Sequence, residues 1–473
     1  MTRLLRVCLA FRRLNGLLLL TSAMSCRPQL GVGWLLAVLA AACTLEGKPL
    51  RAGVAKADVT PPAGEHMWGY AERQTPAQGT LDPLYARVLV LEAADERLAW
   101  VDLDLGRPFG PEPLRRLRET ARKSNQITHL LVQATHTHSG PVVMDAYQNE
   151  APAWEAAAIA KIEKAIDEAA GRLAEVRIGA GYGEAAIGYN RRRINPDGTV
   201  TMLWRNPTRI PTSPLDPRVA VLRIDAVDGR PLAILVNHAC HPVVLGQNLQ
   251  YSADFPGVMT RVVEEALGGR PMCFFIQGAP GDINPYARAA KDDGALQLEA
   301  AGRSLGAEAA RIARSVRTEA EPNATLAVAE DLLTFRRRWD PEKFRKALLA
   351  DFGSAVLRNY AARVAPELQL PAVTVLLNKR IALMTMPGEP FVDFQTNWRD
   401  RCPVPDNFFL GYTNGYFGYF PTIRAAAQGG YGAANSSTWV EVGAGERMVD
   451  HAVAKIYEML GRLTDAPQVL ERK

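Results

Sequence analysis

Short apolar runs that alternate with helix-like stretches constrain the fold of this 473-residue chain more than any other feature. Val219–Ile224, Leu232–His238 and Met272–Gln277 have the length and apolar content of buried strands. Pro256–Leu267 and Ala295–Val316 are predicted as helices. The alternation continues along the chain without a visible internal repeat. We therefore predict an α/β fold, a mixed β-sheet core with flanking helices.

Two segments depart from this regular pattern. Residues Gly188–Pro217 are rich in Arg, Pro and Asn, which predicts a long loop, and loops of that length in a compact protein usually carry function or are disordered. Residues Arg336–Val364 are charged and are predicted to be helical.

Composition excludes several classes of protein. Hydrophobic residues make up 48% of the chain and charged residues 22%, which is typical of a folded soluble protein with a large core. The formal net charge of +5 is small for this length, and no basic patch interleaved with aromatic residues is visible. We therefore expect no nucleic-acid partner.

The first 45 residues resemble an export leader. Basic residues precede the apolar run Leu30–Ala42, which ends in three alanines before Cys43, as at a signal-peptide cleavage site. The run is shorter than the roughly 20 residues that a membrane-spanning helix requires. Cys43 also lies in an approximate lipoprotein box, with its spacing off by one. We expect an exported protein that is periplasmic, secreted or lipid-anchored through Cys43.

Unusual polar residues follow the predicted strands. Four of the seven histidines fall in two pairs, His136/His138 and His238/His241, each after an apolar run. If the first pair lies on a strand, both of its side chains point to the same face. Sites in α/β folds collect beyond the carboxyl ends of strands, so we expect one shared site. The contributing segments are Thr135–Pro141, Asn237–Pro242, Gly278–Pro285, Pro387–Glu389 and Asn414–Tyr419.

These segments supply the donor atoms that zinc prefers. His136, His241 and Glu389 together would leave one coordination position open for water. His238 and His241 could instead supply two ligands by themselves. On a strand these two positions face opposite sides, so we expect one ligand and one packing or hydrogen-bonding histidine. Glu389 has an alternative role as a cap on a helix starting near Pro390.

The order of motifs resembles the amino-terminal catalytic domain of the neutral (non-lysosomal, alkaline) ceramidases. The resemblance runs from about residue 52 to about residue 440, and it implies one ceramidase-like zinc hydrolase domain over residues 50–470. Each motif is weak alone, but the ordered set is specific. The matching segments are Gly53–Pro61, Met67–Ala71, Thr135–Pro141, Asn190-Arg191, His241-Pro242, Gly281–Pro285, Pro387–Glu389 and Asn414–Tyr419.

The resemblance also implies roles for individual residues. Carried over one at a time, the zinc ligands are His136, His241, Glu389 and Tyr419. His138 would donate to the substrate carbonyl or move a proton, and Arg191 would hold a substrate oxygen or the developing oxyanion. We interpret Tyr416, the first tyrosine of the Asn-x-Tyr-x-x-Tyr motif, as structural.

Two departures from the family pattern affect the expected chemistry. Asn284 replaces the serine of the family's Gly-Asp-x-Ser-Pro motif, which excludes a covalent serine route there but keeps a hydrogen-bond donor for the oxyanion. We also expect the carboxy-terminal immunoglobulin-like domain of the family to be absent, which leaves a different acyl amide or an ester as an alternative substrate.

The leading hypothesis is a zinc (Zn2+) amidohydrolase that cleaves a ceramide-like N-acyl amide with a metal-activated water. The first alternative keeps the metal but acts on an ester or a non-lipid acyl amide. The second is a catalytically degenerate member of the family that only binds its ligand. The expected partners are a small-molecule or lipid amide substrate and a peripheral contact with a membrane; the sequence predicts no oligomeric state.

Overall fold

The computed structural model describes residues 47–143, 152–289, 293–352 and 366–463. The predicted leader, including Cys43, lies outside the described residues. From Gly47 onward the contacts form one compact unit. The helices are α1 (Pro111–Asn125), α2 (Ala153–Gly171), α3 (Phe255–Ala266), α4 (Gly294–Ser315), α5 (Pro341–Phe352), α6 (Val392–Arg401), α7 (Ile423–Gln428) and α8 (Ala444–Met459).

Most of the strands belong to two sheets. The strands are β1 (Arg51–Asp58), β2 (Gly79–Thr80), β3 (Tyr85–Ala93), β4 (Glu96–Leu103), β5 (His129–Ala134), β6 (Ala174–Glu184), β7 (Gly188–Asn190), β8 (Arg192–Ile194), β9 (Val200–Met202), β10 (Arg218–Ala226), β11 (Pro231–His238), β12 (Gln250–Tyr251), β13 (Met272–Gln277), β14 (Ile283–Pro285), β15 (Glu319–Ala320), β16 (Leu326–Arg336), β17 (Glu367–Leu377), β18 (Ile381–Thr385), β19 (Glu389–Pro390), β20 (Asp406–Leu410) and β21 (Tyr419–Phe420).

The larger sheet is mixed, which confirms the predicted fold class. Its order is β13-β11-β10-β6-β1-β3-β4-β5, with β15 added beside β6. Only β11 with β13 and β4 with β5 run parallel; the other pairs are antiparallel. The smaller sheet has the order β16-β17-β18-β20, with β18 and β20 parallel.

The two sheets pack face to face between two layers of helices. Alternate residues of β17 show this, because Val373 and Val375 lie in the core between the sheets while Ala372 and Leu376 face helices α6 and α8. The other face of the larger sheet packs against α1 and α2 at one end and against α3 and α4 at the other. Strands covered on both faces are apolar at most positions, which explains why they form nearly continuous apolar runs in the sequence.

The larger sheet curls until its two edge strands approach each other. Gln133 Nε2 of β5 donates to the carbonyl of Gln277 in β13 over 2.9 Å. The segment 411–414 fills the seam: Gly411 N donates to Gln277 O (3.0 Å), and Asn414 Oδ1 accepts from Val132 N (2.9 Å). The ends of β5 and β11, far apart in the strand order, thereby reach one place.

The predicted elements agree with the structure except in the irregular segments. The predicted loop 188–217 contains three short strands, because β8 pairs with β9 as a hairpin and β7 pairs with β14. Within the described residues, the helix predicted over 336–364 corresponds to α5, which follows β16 ending at Arg336. Residues 353–365 lie outside the described part. Within the described residues, no helix is both long and apolar enough to span a membrane.

Candidate metal centre

His136 lies just beyond the end of β5, which stops at Ala134. Its backbone has φ = +71°, a left-handed conformation that is unfavourable for a residue with a side chain. His136 N is bonded to Leu105 O (3.0 Å), and Nδ1 lies 2.6 Å from Gly106 O. Because a carbonyl oxygen can only accept, Nδ1–H donates to it, and Nε2 faces inward.

His136 and His138 do face the same place, but they do not share a strand, so the reason given for this expectation is wrong. The strand has already ended, and the left-handed turn at His136 brings the two rings together at right angles. Their Nε2 atoms lie 3.1 Å apart.

His241 is held in the same manner as His136. Its Nδ1 lies 2.6 Å from Pro280 O, and its backbone N–H donates to Ile283 O over 3.1 Å, so Nε2 again faces the site. His238, at the end of β11, instead places Nδ1 2.9 Å from Arg218 O. One histidine of the 238/241 pair faces the cluster, but not for the expected reason, because β11 ends at His238 and His241 lies beyond the strand.

Glu389 completes a compact group with the two histidines. Its Oε2 lies 3.2 Å from His241 Nε2 and 3.5 Å from His136 Nε2, in a buried position. Burial alone would raise the pKa of Glu389, but the two imidazoles lower it well below its usual value. The alternative of a helix cap is wrong, because α6 begins at Val392 behind Phe391 and no side chain caps it.

Tyr419 stands beside Glu389 because the two residues are register partners in the parallel pair β19–β21. Burial, and then the charge of Glu389, raise the pKa of the Tyr419 phenol well above its usual value. Arg191 Nη2 donates to the phenol oxygen over 3.1 Å and to Gly281 O over 2.6 Å. Arg191 Nη1 lies 3.3 Å from Asn284 Oδ1, so Asn284 contacts the arginine.

Sequence reasoning missed part of the aromatic lining. Tyr416 donates its hydroxyl to Glu389 Oε1 over 2.5 Å, so its interpretation as merely structural was incomplete. The Tyr412 ring stacks on His136 with 4.0 Å between centroids. Tyr431 packs against Tyr419 and against the Arg191 guanidinium. The adjacency of Tyr416 to the Tyr419 motif was a usable signal, whereas Tyr412 and Tyr431 had none.

His136, His138 and His241 form a group that could hold a metal ion, with their donor atoms within 4.8 Å of one another. Atoms that share a tetrahedral zinc at ordinary bond lengths lie about 3.3 Å apart. The separations of 3.2 and 3.5 Å from Glu389 Oε2 to the imidazoles of His241 and His136 fit that spacing. The nitrogen and carboxylate donors present thus fit a zinc ion.

His138 differs from the other two histidines because its second ring nitrogen is not held by a backbone carbonyl. Its Nδ1 is buried and has no hydrogen-bond partner among the described residues, whereas histidine ligands normally donate that proton to a carbonyl or carboxylate. Desolvation, and then the neighbouring imidazoles, lower the pKa of His138 well below its usual value. A neutral imidazole without such an anchor suits proton transfer better than ligation.

A comparison with protein families tests the resemblance inferred from the motifs. Residues 50–303, just over half of the chain, match the model of the neutral/alkaline non-lysosomal ceramidase N-terminal domain. The chain belongs to this ceramidase family. The resemblance inferred from the ordered motifs is thereby confirmed.

Solved ceramidase structures share the fold. The neutral ceramidase from Pseudomonas aeruginosa superposes with a TM-score of 0.69 at 20% identity, over 90% of this chain and 77% of that one. A second structure, a ceramidase complexed with C2, gives a TM-score of 0.70 at the same identity and coverage. At this identity the likeness establishes the common architecture.

Proposed function

We propose that this member of the ceramidase family is a zinc-dependent hydrolase that cleaves the amide of a ceramide-like N-acyl substrate. One observation carries the proposal: a buried carboxylate oxygen lies within 3.5 Å of two imidazole nitrogens whose other ring nitrogens are bonded to backbone carbonyls. An arrangement with oriented donors and a supporting layer of hydrogen bonds is typical of a metal centre.

His136, His241, Glu389 and Tyr419 would hold the ion. Zinc in such a site polarises a carbonyl and makes water a nucleophile at neutral pH. The Arg191 guanidinium, 3.1 Å from the Tyr419 oxygen, favours the phenolate that ligation requires. Tyr416 fixes Glu389 Oε1, which leaves Oε2 directed at the imidazoles.

The remaining polar groups would act on the substrate. His138 Nε2 lies 3.1 Å from His136 Nε2 at the cluster, so His138 would be placed to accept a proton from the attacking water and return it to the leaving nitrogen. Arg191 keeps an unpartnered, buried Nε–H within the described residues, which is available for the substrate oxygen. Asn284 supports the arginine at Nη1 and, through it, the oxyanion position.

An exposed basic and apolar segment that includes Trp204, a contact of Arg191, fits a substrate presented in a lipid surface. Trp204, 52% exposed, lies over Arg191 with the guanidinium 5.6 Å from its ring centroid. Ile194 and Ile210 are each 41% exposed in the same segment. Exposed arginines accompany them, and we define the rim as these six residues: Ile194, Trp204, Ile210, Arg193, Arg205 and Arg209. Such a surface suits peripheral contact with an anionic membrane.

A substrate panel tests the proposed reaction. Zinc-loaded protein is given a fluorescent ceramide, a short-chain acyl amide and the corresponding ester, with His241→Ala as the inactive control. We expect release of fatty acid from ceramide, and loss of at least a thousandfold in the control. Cleavage of the ester alone would replace the amidase with an esterase, and tight ceramide binding without turnover would identify a degenerate binder.

We also propose that the chain is exported, on the basis of its first 45 residues. Mass spectrometry of the mature amino terminus after expression in a host with a secretory pathway tests this directly. Cleavage after Ala42, with or without a lipid on Cys43, is the expected result, and an uncleaved cytosolic chain would contradict it.

A further inference from the structure

Gln277, the last residue of β13, lies between the two loops that carry His136 and His241. Its side chain is completely buried. The amide nitrogen donates to Thr135 O over 2.9 Å and to Cys240 O over 3.0 Å, and its oxygen accepts from Cys240 N over 3.3 Å. Each of these partners immediately precedes one of the two histidines.

We infer that Gln277 is a positioning residue that sets the separation of the His136 and His241 imidazoles. This inference rests on the proposed metal site. One planar amide fixes both carbonyl groups, so neither loop can shift without breaking a buried hydrogen bond. On the other side of the pair, His138 N donates to Pro242 O over 3.2 Å, so the two histidines are bracketed between two inter-loop connections.

The backbone of His136 explains why such a connection is needed. A non-glycine residue at φ = +71° is conformationally unfavourable and persists only where the surroundings hold it. The bond from Gln277 to Thr135 O lies one residue before this turn. Without the bond, the peptide can relax and carry the imidazole away from Glu389.

Gln133 provides a matched control at the same seam. It is also completely buried, and its amide nitrogen also donates to two backbone carbonyls, those of Gln277 (2.9 Å) and Gly411 (3.2 Å). Neither carbonyl precedes a histidine of the cluster. A substitution at Gln133 therefore removes the same kind of bonds without loosening the two histidine loops directly.

The test compares Gln277→Met with Gln133→Met in the full chain, using cobalt(II) titration of the metal-free protein and its visible absorption spectrum. We expect both variants to lose similar thermal stability. Only Gln277→Met should bind cobalt about 10- to 100-fold more weakly and show an altered spectrum. With the metal saturating, its kcat should fall while KM stays within about twofold.

A second variant covers a failure of Gln277→Met to fold. Gln277→Glu keeps the size and the acceptor for Cys240 N but loses the amide donor, and it should weaken cobalt binding in the same direction. The positioning role is overturned if a folded Gln277 variant binds cobalt as tightly as the wild type, or if Gln133→Met loses as much cobalt affinity as Gln277→Met. Neither result affects the proposed metal site. A wild-type protein that binds no cobalt or zinc overturns the proposed metal site and this inference with it.

Discussion

At the scale of single residues, the candidate site depends on the hydrogen bonds behind the proposed ligands. Gly106 O and Pro280 O lie 2.6 Å from the Nδ1 atoms of His136 and His241, and each fixes the ring so that Nε2 faces inward. The Tyr416 hydroxyl likewise fixes the Glu389 carboxylate by donating to Oε1. Such partners orient a ligand without touching the ion, so their removal weakens metal binding more than it weakens the fold.

Tyr416→Phe should lower zinc affinity about tenfold, because Glu389 loses the bond that fixes Oε1. Competition with a fluorescent chelator measures the effect. Tyr182→Phe is the control, since Tyr182 also donates to a carboxylate, Asp406 at 2.7 Å, outside the site. Equal affinity in the wild type and Tyr416→Phe would show that Tyr416 has no part in orienting the ligand.

Gly69→Ala should reduce kcat at least tenfold and leave the zinc content unchanged. A Cβ at Gly69 would lie 2.4 Å from His138 Nδ1, so the His138 ring must move. Gly64→Ala is the matched control, because Gly64 has a similar φ of +106° and its Cβ would meet nothing within 4 Å. Loss of zinc from Gly69→Ala, but not from Gly64→Ala, would mean that His138 is itself a ligand.

At the scale of elements, the residues of the candidate site lie at or just beyond strand ends. The sequence indicated this, because polar residues follow its apolar runs. Strand positions could be predicted because strands covered on both faces are apolar at most positions. The left-handed turn at His136 could not, since it depends on bonds to Leu105 and Gly106 in a distant segment. Tyr412 and Tyr431 were missed for the same reason: only tertiary packing places them there.

The hairpin β8–β9 and the residues that follow it offer a test of the proposed lipid contact. Ile194→Ser with Ile210→Ser should raise the lipid concentration for half-maximal binding about fivefold or more on vesicles of phosphatidylcholine and phosphatidylglycerol, because exposed apolar area is lost. Hydrolysis of a water-soluble amide should not change. The control is Val227→Ser with Leu332→Ser, two exposed residues outside the rim. If both double variants bind the vesicles equally well, the rim has no part in membrane contact.

At the scale of the whole molecule, curling of the larger sheet brings together residues that the strand order separates. The protein interior also contains buried charge: Arg87 and Asp104 form an ion pair of 2.7 Å, and Asp102 lies nearby without solvent access. Burial, and then Asp104, raise the pKa of Asp102 well above its usual value, although Arg87 opposes the shift. The positions of the strands were predictable from the sequence, but their order and this closure were not, because the closure rests on side-chain amides of distant segments.

Asp102→Asn should stabilise the protein progressively as pH rises. The unfolded chain releases the Asp102 proton near pH 4, while the folded chain keeps it, so the wild type loses stability with increasing pH and the amide does not. The difference in unfolding free energy should be near zero at pH 4. It should grow by about 1.4 kcal/mol per pH unit until the folded carboxyl also ionises. Urea unfolding from pH 4 to 8 measures it, and a pH-independent difference would contradict the assigned shift.

The most direct test of the metal centre is zinc stoichiometry, by elemental analysis of purified protein after dialysis against a weak chelator. The account predicts one zinc per wild-type chain and one per His138→Ala chain. It predicts less than about a tenth of that in His136→Ala, His241→Ala and Glu389→Gln, with all four variants folded by circular dichroism. Full zinc occupancy in the His136, His241 and Glu389 variants would contradict the central claim.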